Sequence, residues 1–262
     1  HVVAALEPVQ AGETVHGAGF GIVPGGKGAN QAAAAARLGV DTAMVGCVGH
    51  DAFGQAALDN LAAQGVQTAQ VRRDPTEPSG IAMIVVNEAG ENTIVVAPGA
   101  NHAVSIADIE NARTLLASAS YLVLQFEIPL EVVRYAIAVA TSLGVRVVLN
   151  PAPAYAVDDA FLQGVYALVV NESEAEALAG RPASDVSQAA LAAKILRAKG
   201  PQVVIVTLGA AGAYVSGPAC EQHVPAHQVS VVDTTAAGDT FVGGLVAALL
   251  DEQPLAEAVR YA

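Results

Sequence analysis

The sequence predicts an α/β protein, a mostly parallel sheet with helices on both faces and a small antiparallel β sheet appended to it. Three observations predict this. From about residue 42 onward, apolar runs of strand length alternate with helical patterns. The 262 residues are 53% hydrophobic and 14% charged, with 4% aromatics and no tryptophan. A core must then be built from Ala, Val, Leu and Ile, which suits parallel strands buried on both faces. Finally, residues 1–23 and 79–97 break the alternation and read as antiparallel β, which divides the chain into a core over 24–78 and 98–262 and a small β lid over 1–23 and 79–97.

After the first β stretch, Gly25–Gln31 is a polar, glycine-rich turn feeding an alanine-rich helix over Ala32–Leu38. A strand over Thr42–Val48 precedes a helix over Phe53–Gln64. Gly80–Val86 and Asn92–Ala97 alternate Val and Ile around the turn Asn87–Glu91, the pattern of a hairpin. Then come Tyr121–Phe126 as strand, Pro129–Leu143 as helix, and Val145–Leu149 as strand before a proline-rich turn. Tyr166–Val170 leads into an acidic helix start at Asn171, a further helix ends near Lys199, and Val203–Thr207 is the next strand. An apolar helix follows over Val242–Leu250. Strands connected by segments this long are expected to be parallel, with ligands bound outside their carboxyl ends.

The formal net charge of −13 excludes a nucleic-acid duplex or an anionic membrane as the main partner, because either requires a basic face. A small polyanion remains compatible, held locally at helix N-termini. Cys47 and Cys220 read as buried thiols of a reducing compartment, and Pro225 breaks the helix that would align His223 and His227 with Cys220 around a metal. No apolar run approaches a membrane span, and the start lacks a basic leader pattern, so a cytoplasmic protein is expected.

Two segments carry chemistry. Gly21–Gly28 nearly spells a phosphate-binding P-loop but has Gly28 where a magnesium-binding Ser or Thr is needed, and no G-x-G-x-x-G fingerprint occurs. What remains at Gly25–Gln31 is a flexible turn in which Lys27, Asn30 and Gln31 supply donors suited to a polyhydroxyl ligand. The second segment, Asp233-Thr-Thr-Ala-Ala-Gly-Asp-Thr-Phe241, opens a helix with small residues at 236–238 and a carboxylate at 239. Free amides at such a start bind an anion, while Asp239 beside that anion suits a proton acceptor, as in phosphoryl transfer to a hydroxyl. Helix capping by Asp233 or Asp239 accounts for the local pattern equally well.

Gly25–Ala32 and Asp233–Gly244 together resemble the two signatures of the ribokinase family of sugar and nucleoside kinases. Gly12–Val15, Ala97–Asn101, Leu149–Ala154, Asn171–Glu176 and Thr207–Gly209 fall in that family's order, so the resemblance covers essentially the whole chain. It implies a ribokinase-like three-layer sandwich and an ATP-dependent kinase acting on the 5-hydroxyl of ribose. Deoxyribose, another sugar or a nucleoside is the alternative acceptor, and a non-catalytic binding protein the alternative class.

The resemblance implies that Gly26, Lys27, Gly28, Ala29 and Asn30 line the sugar site, with Glu127 reaching a sugar hydroxyl. Asn171 and Glu174 would position the triphosphate, Glu174 holding magnesium through water, and Thr207, Leu208, Gly209, Ala210, Ala211 and Gly212 would border the nucleotide. The family's polar pair after the glycine is Ala210-Ala211 here. Asp233 and Thr235 match positions that bind an activating potassium ion, Ala236, Ala237 and Gly238 the anion hole, and Asp239 the catalytic base. The resemblance also implies that the family's opening core strand with its Asn-x-Asp sugar motif, and the closing segment that completes the adenine pocket and potassium site, lie outside these residues. Apolar positions such as Ile81, Ile84, Val86, Ile94 and Val96 predict a homodimer formed through the lid sheets.

Overall fold

The structure is a computed structural model that describes residues 2–5, 17–86 and 92–262. The expected turn at Asn87–Glu91 and the Gly12–Val15 motif lie outside the described residues. Strands β1 (Val2–Ala5) and β2 (Gly17–Gly21) precede helix α1 (Lys27–Arg37), β3 (Ala43–Gly49), α2 (Ala52–Ala63) and β4 (Gln67–Asp74). Then follow β5 (Ile81–Val86), β6 (Asn92–Ala97), α3 (Ile106–Asn111), α4 (Arg113–Ser118), β7 (Tyr121–Leu124), α5 (Leu130–Ser142) and β8 (Arg146–Leu149). The remainder comprises β9 (Val165–Val170), α6 (Glu172–Ala179), α7 (Val186–Ala198), β10 (Val203–Thr207), β11 (Ala213–Gly217), β12 (Cys220–Val224), α8 (Ala237–Leu250) and α9 (Leu255–Tyr261).

The central sheet has the order β12-β11-β10-β9-β8-β7. Its β7 to β10 segment is parallel throughout, and β11 and β12 extend it as an antiparallel hairpin. Successive residues of the parallel strands enter opposite layers. Val147, Leu149, Leu168, Val170, Val204 and Val206 join one core with residues of α5, α6 and α7. Val148, Ala167, Val169, Val203 and Ile205 join the other, against Val242, Leu245 and Leu249 of α8 and Val259 of α9. An apolar strand of this kind satisfies both faces at once, and each buried Val or Leu side chain contributes roughly 1.5–3 kcal/mol. The sandwich has three layers for that reason.

Beside it, β3 and β4 form a separate two-stranded parallel sheet. The small sheet has the order β2-β1-β5-β6; β1–β2 and β5–β6 are antiparallel, whereas β1 runs parallel to β5. That one parallel pair departs from the antiparallel pattern expected for both stretches. A tight turn forces antiparallel pairing only on strands it joins, and β1 and β5 come from distant parts of the chain.

Helices α1 and α8 pack with little between them. A Cβ on Gly243 would lie 2.6 Å from the Ala34 Cβ and 2.9 Å from the Ala35 nitrogen. The alanine run of α1 and the glycine of α8 thus permit a close approach that a larger residue on either side would prevent. Among the described residues no helix is long and apolar enough to cross a membrane.

Candidate active site

The candidate residues gather at the carboxyl ends of the parallel strands. Gln125 and Glu127 follow β7, Asn150 follows β8, Asn171 follows β9, and Leu208 and Gly209 follow Thr207 at the end of β10. The starts of α1 and α8 complete this edge, because their close packing places Lys27–Gln31 beside Ala236–Asp239.

Helix α8 opens without a side-chain cap. Ala236 takes a left-handed conformation with φ 58°, a strained choice for a residue with a Cβ, and the Ala237 amide donates to Thr234 O at 3.1 Å. The amides of Gly238 and Asp239 belong to the first turn, where no intrahelical acceptor exists, so they face outward at the positive end of the helix dipole. A Cβ on Gly238 would meet nothing within 4 Å. Packing within the protein therefore does not require glycine there, and the backbone is left open to close approach from outside.

Asp239 is 7% exposed and both of its carboxylate oxygens are engaged. Asn30 Nδ2 donates to Oδ2 at 2.8 Å, and Gln31 Nε2 donates to Oδ1 at 3.0 Å. Capping by Asp239, the alternative left open by its sequence, is not what the structure shows. Its side chain looks across to α1, and α8 has no side-chain cap.

Lys27 begins α1, and its backbone amide donates to Glu127 Oε2 at 2.8 Å. Burial raises the Glu127 carboxyl above the usual range, against the pull of the Lys27 amide and ammonium, and Asp239 adds to the rise. Burial likewise raises Glu174, which is opposed first by the Asn171 amide and then by Lys27 and is pushed further up by Asp239. One ammonium therefore sits within electrostatic reach of two carboxyls.

Asn171 and Glu174 form a reciprocal capping box at the start of α6. Asn171 Oδ1 accepts from the Glu174 amide at 2.8 Å, and Glu174 Oε2 accepts from the Asn171 amide at 3.0 Å. Glu174 is 7% exposed, and its Oε1 is left over by the box. In the loop after β10, Thr207 Oγ1 donates to Val170 O at 3.3 Å, and Gly212 returns its carbonyl to the Leu208 amide at 2.7 Å. Leu208 is buried while Gly209, Ala210 and Ala211 are exposed, and His223 Nε2 contacts Ala211 O at 2.5 Å.

Asp233 and Thr235 lie on the exposed loop before α8, where Asp233 Oδ1 accepts from the Thr235 amide at 2.8 Å. The amide and hydroxyl of Thr235, with the Thr234 amide, hold the Asp233 carboxyl below its usual range. Among the described residues, no group of three or more His, Cys, Asp or Glu side chains is gathered for a metal. Gly28 and Ala29 lie in the first turn of α1 between Lys27 and Asn30.

Two residues at this edge, Gln125 and Asn150, were not singled out as site residues by their sequence. Gln125 Nε2 donates to Gln31 Oε1 at 2.5 Å, and Asn150 Oδ1 accepts from Gln31 Nε2 at 3.1 Å. The available signal was position: each is the first polar residue after an apolar parallel strand.

The chain is similar to known proteins over most of its length. The profile of the pfkB family of carbohydrate kinases matches residues 1–262. The chain is 40% identical over 261 residues to a ribokinase of Haemophilus influenzae, covering 100% of this chain and 85% of that protein. It is 41% identical over 233 residues to a deoxyribokinase of Salmonella typhi, covering 88% of this chain and 76% of that one. Its fold superposes with a TM-score of 0.87 on an Arabidopsis thaliana ribokinase complexed with ribose and ATP, at 30% identity, covering 98% of this chain and 85% of that one.

Proposed function

The chain belongs to the pfkB family of carbohydrate kinases, and from that premise we propose that Asp239 is its catalytic base and the 5-hydroxyl of ribose the acceptor. It is a phosphotransferase that uses ATP to phosphorylate a sugar hydroxyl, and its sugar is ribose. One observation carries the assignment of the base: a buried carboxylate, held by two amide donors, stands in the first turn of an uncapped helix.

In phosphoryl transfer the protein mainly positions the reactants and offsets developing charge. Asp239 takes the proton of the attacking hydroxyl as its oxygen bonds to the γ-phosphorus and the bond from that phosphorus to the bridging oxygen breaks, releasing ADP. The amides of Gly238 and Asp239 face the phosphate oxygens, that of Ala237 being engaged by Thr234 O, and Lys27 adds a positive charge on the sugar side. Gly26, Gly28, Ala29, Asn30 and Glu127 position the sugar, while Thr207 and Leu208–Gly212 border the nucleotide.

A hard divalent cation takes oxygen ligands and retains water, which fits a buried carboxyl with one spare oxygen. Asn171 and Glu174 would hold magnesium through water, and the ion supplies neutralisation of phosphate charge. Asp233 is held ionised on a loop with exposed oxygens, and with Thr235 it would hold potassium. The small sheet closes over the sugar as a lid and excludes water. Val95 and Val96 of β6 are 62% and 65% exposed, and Met83 and Ile94 are also exposed, which supports a homodimer joined through these sheets. Ile81 and Ile84 are half-buried, and the side chain of Val86 lies outside the described residues. Cys47 and Cys220 are unpaired, in keeping with the cytoplasm.

ADP release measured with ATP against ribose, 2-deoxyribose, other pentoses and nucleosides tests the acceptor. Ribose should give the highest kcat/KM. A higher value with 2-deoxyribose would move the assignment to the second kinase, and no sugar-dependent release would remove it.

A further inference from the structure

Behind the proposed base lies a chain of three amide side chains with a forced orientation. Asn150 Nδ2 donates to Val169 O at 3.0 Å. A backbone carbonyl only accepts, so Asn150 must turn its oxygen the other way, toward Gln31. Gln31 must therefore present Nε2 there, and the same NH2 group reaches Asp239 Oδ1. Both protons of that NH2 group are then in use. The remaining Oε1 of Gln31 faces Gln125, which must present its own NH2, and Gln125 Oε1 is left toward Gly28, where an added Cβ would lie 3.0 Å away. Every amide is oriented by its neighbour, starting from one backbone carbonyl of the central sheet.

The two donors to Asp239 differ in access. Gln31 is 2% exposed, with all its polar atoms satisfied by protein. Asn30 is half-buried at the open side of the site. We infer that Gln31 is a positioning residue for the reaction: it holds the Asp239 carboxylate in a single orientation throughout turnover, while the Asn30 contact is exchanged for the sugar. Gln125 and Asn150 act one step further back by preventing rotation of the Gln31 amide. A Gln31 turned by half a revolution would set its oxygen against those of Asp239 and Asn150, two repulsive contacts in a buried place.

This inference rests on Asp239 being the base, and the test separates the two. Gln31→Met keeps the approximate length of the side chain and removes its donors. Steady-state kinetics should show kcat lowered by ~10–100-fold, the effect of a misplaced reacting group, with KM for ribose changed by less than about 3-fold. Combined with Asp239→Asn, Gln31→Met should lower kcat no further, because groups that act through one another are not additive. Unchanged kcat for Gln31→Met, or an undiminished loss in the double variant, overturns the positioning role. An active Asp239→Asn single variant removes the base assignment itself. Should Gln31→Met not fold, Gln125→Met decides. It leaves Gln31 its bonds to Asp239 and Asn150 but removes the donor to Gln31 Oε1, so the amide is held less firmly and kcat should drop by ~3–10-fold at constant KM; an unaffected kcat refutes the chain.

Discussion

The Glu127 carboxylate accepts a hydrogen bond from the backbone amide of Lys27 at 2.8 Å, so the loop after β7 caps the helix that carries the residues proposed for the sugar. Gly26, at the helix start, has no side chain to do this, and the cap arrives from 100 positions away in sequence. One carboxyl thereby joins a structural role to its proposed contact with the sugar.

Glu127→Gln should separate these roles. The amide oxygen still accepts from Lys27, while the buried charge is lost. Because burial raises the folded carboxyl above its ordinary value of 4.5, the folded state binds more protons than the unfolded chain. Wild-type stability attributable to this group therefore falls as pH rises from about that value through the raised one. Thermal unfolding should show the variant gaining on wild type over this window, with KM for ribose increased. A stability difference independent of pH would contradict the burial argument.

Asp239→Asn preserves shape and removes the proton acceptor. We expect kcat to fall by ~10²–10⁴-fold with an unchanged circular dichroism spectrum. Near wild-type turnover would show that the hydroxyl loses its proton elsewhere.

Potassium should activate the enzyme relative to sodium at matched ionic strength. An ion held at Asp233 and Thr235 would shape the loop that leads to the Gly238 and Asp239 amides without touching either substrate. Equal rates in the two salts would remove the site.

Gly243→Ala inserts a methyl group where Ala34 Cβ stands 2.6 Å away and the backbone of α1 2.9 Å away. Since α1 must move from α8, the variant should lose ~1–3 kcal/mol in denaturant unfolding. Its kcat should fall as well, because the hydrogen bonds from Asn30 and Gln31 to Asp239 cross the same gap. Wild-type kinetics in a folded variant would mean that the helices tolerate the shift.

Sedimentation at micromolar concentration tests assembly. A dimer that Val95→Lys together with Val96→Glu converts to monomer is expected, since both positions are exposed on the small sheet. A wild-type monomer would rule out association through this surface.

Sequence made the parallel strands legible because runs such as residues 203–206 are apolar toward both layers and are flanked by helical patterns long enough for crossovers. β4 was not legible. Its residues Gln67–Asp74 carry two arginines, and Arg72 earns its place by ion pairs with Asp74 and Asp108 at 2.8 and 2.9 Å, which no periodicity reveals. The hairpin of β11 and β12 was also missed, since β12 exposes Glu221, Gln222 and His223 and so lacks a strand's alternation. At the candidate site, the helix start that carries Gly238 and Asp239 was legible because small residues lead there into an apolar run. The amide chain was not, because Gln31, Gln125 and Asn150 have partners set only by the folded sheet.

The bond from Asn30 to Asp239 spans 209 positions, from near one end of the chain to near the other. Bringing such distant positions together costs loop-closure entropy that local contacts do not. The β9–β10 pairing closes a much shorter stretch of chain and does not depend on that bond. If the base needs that long-range contact, on refolding kinase activity should return only after the helical signal has recovered.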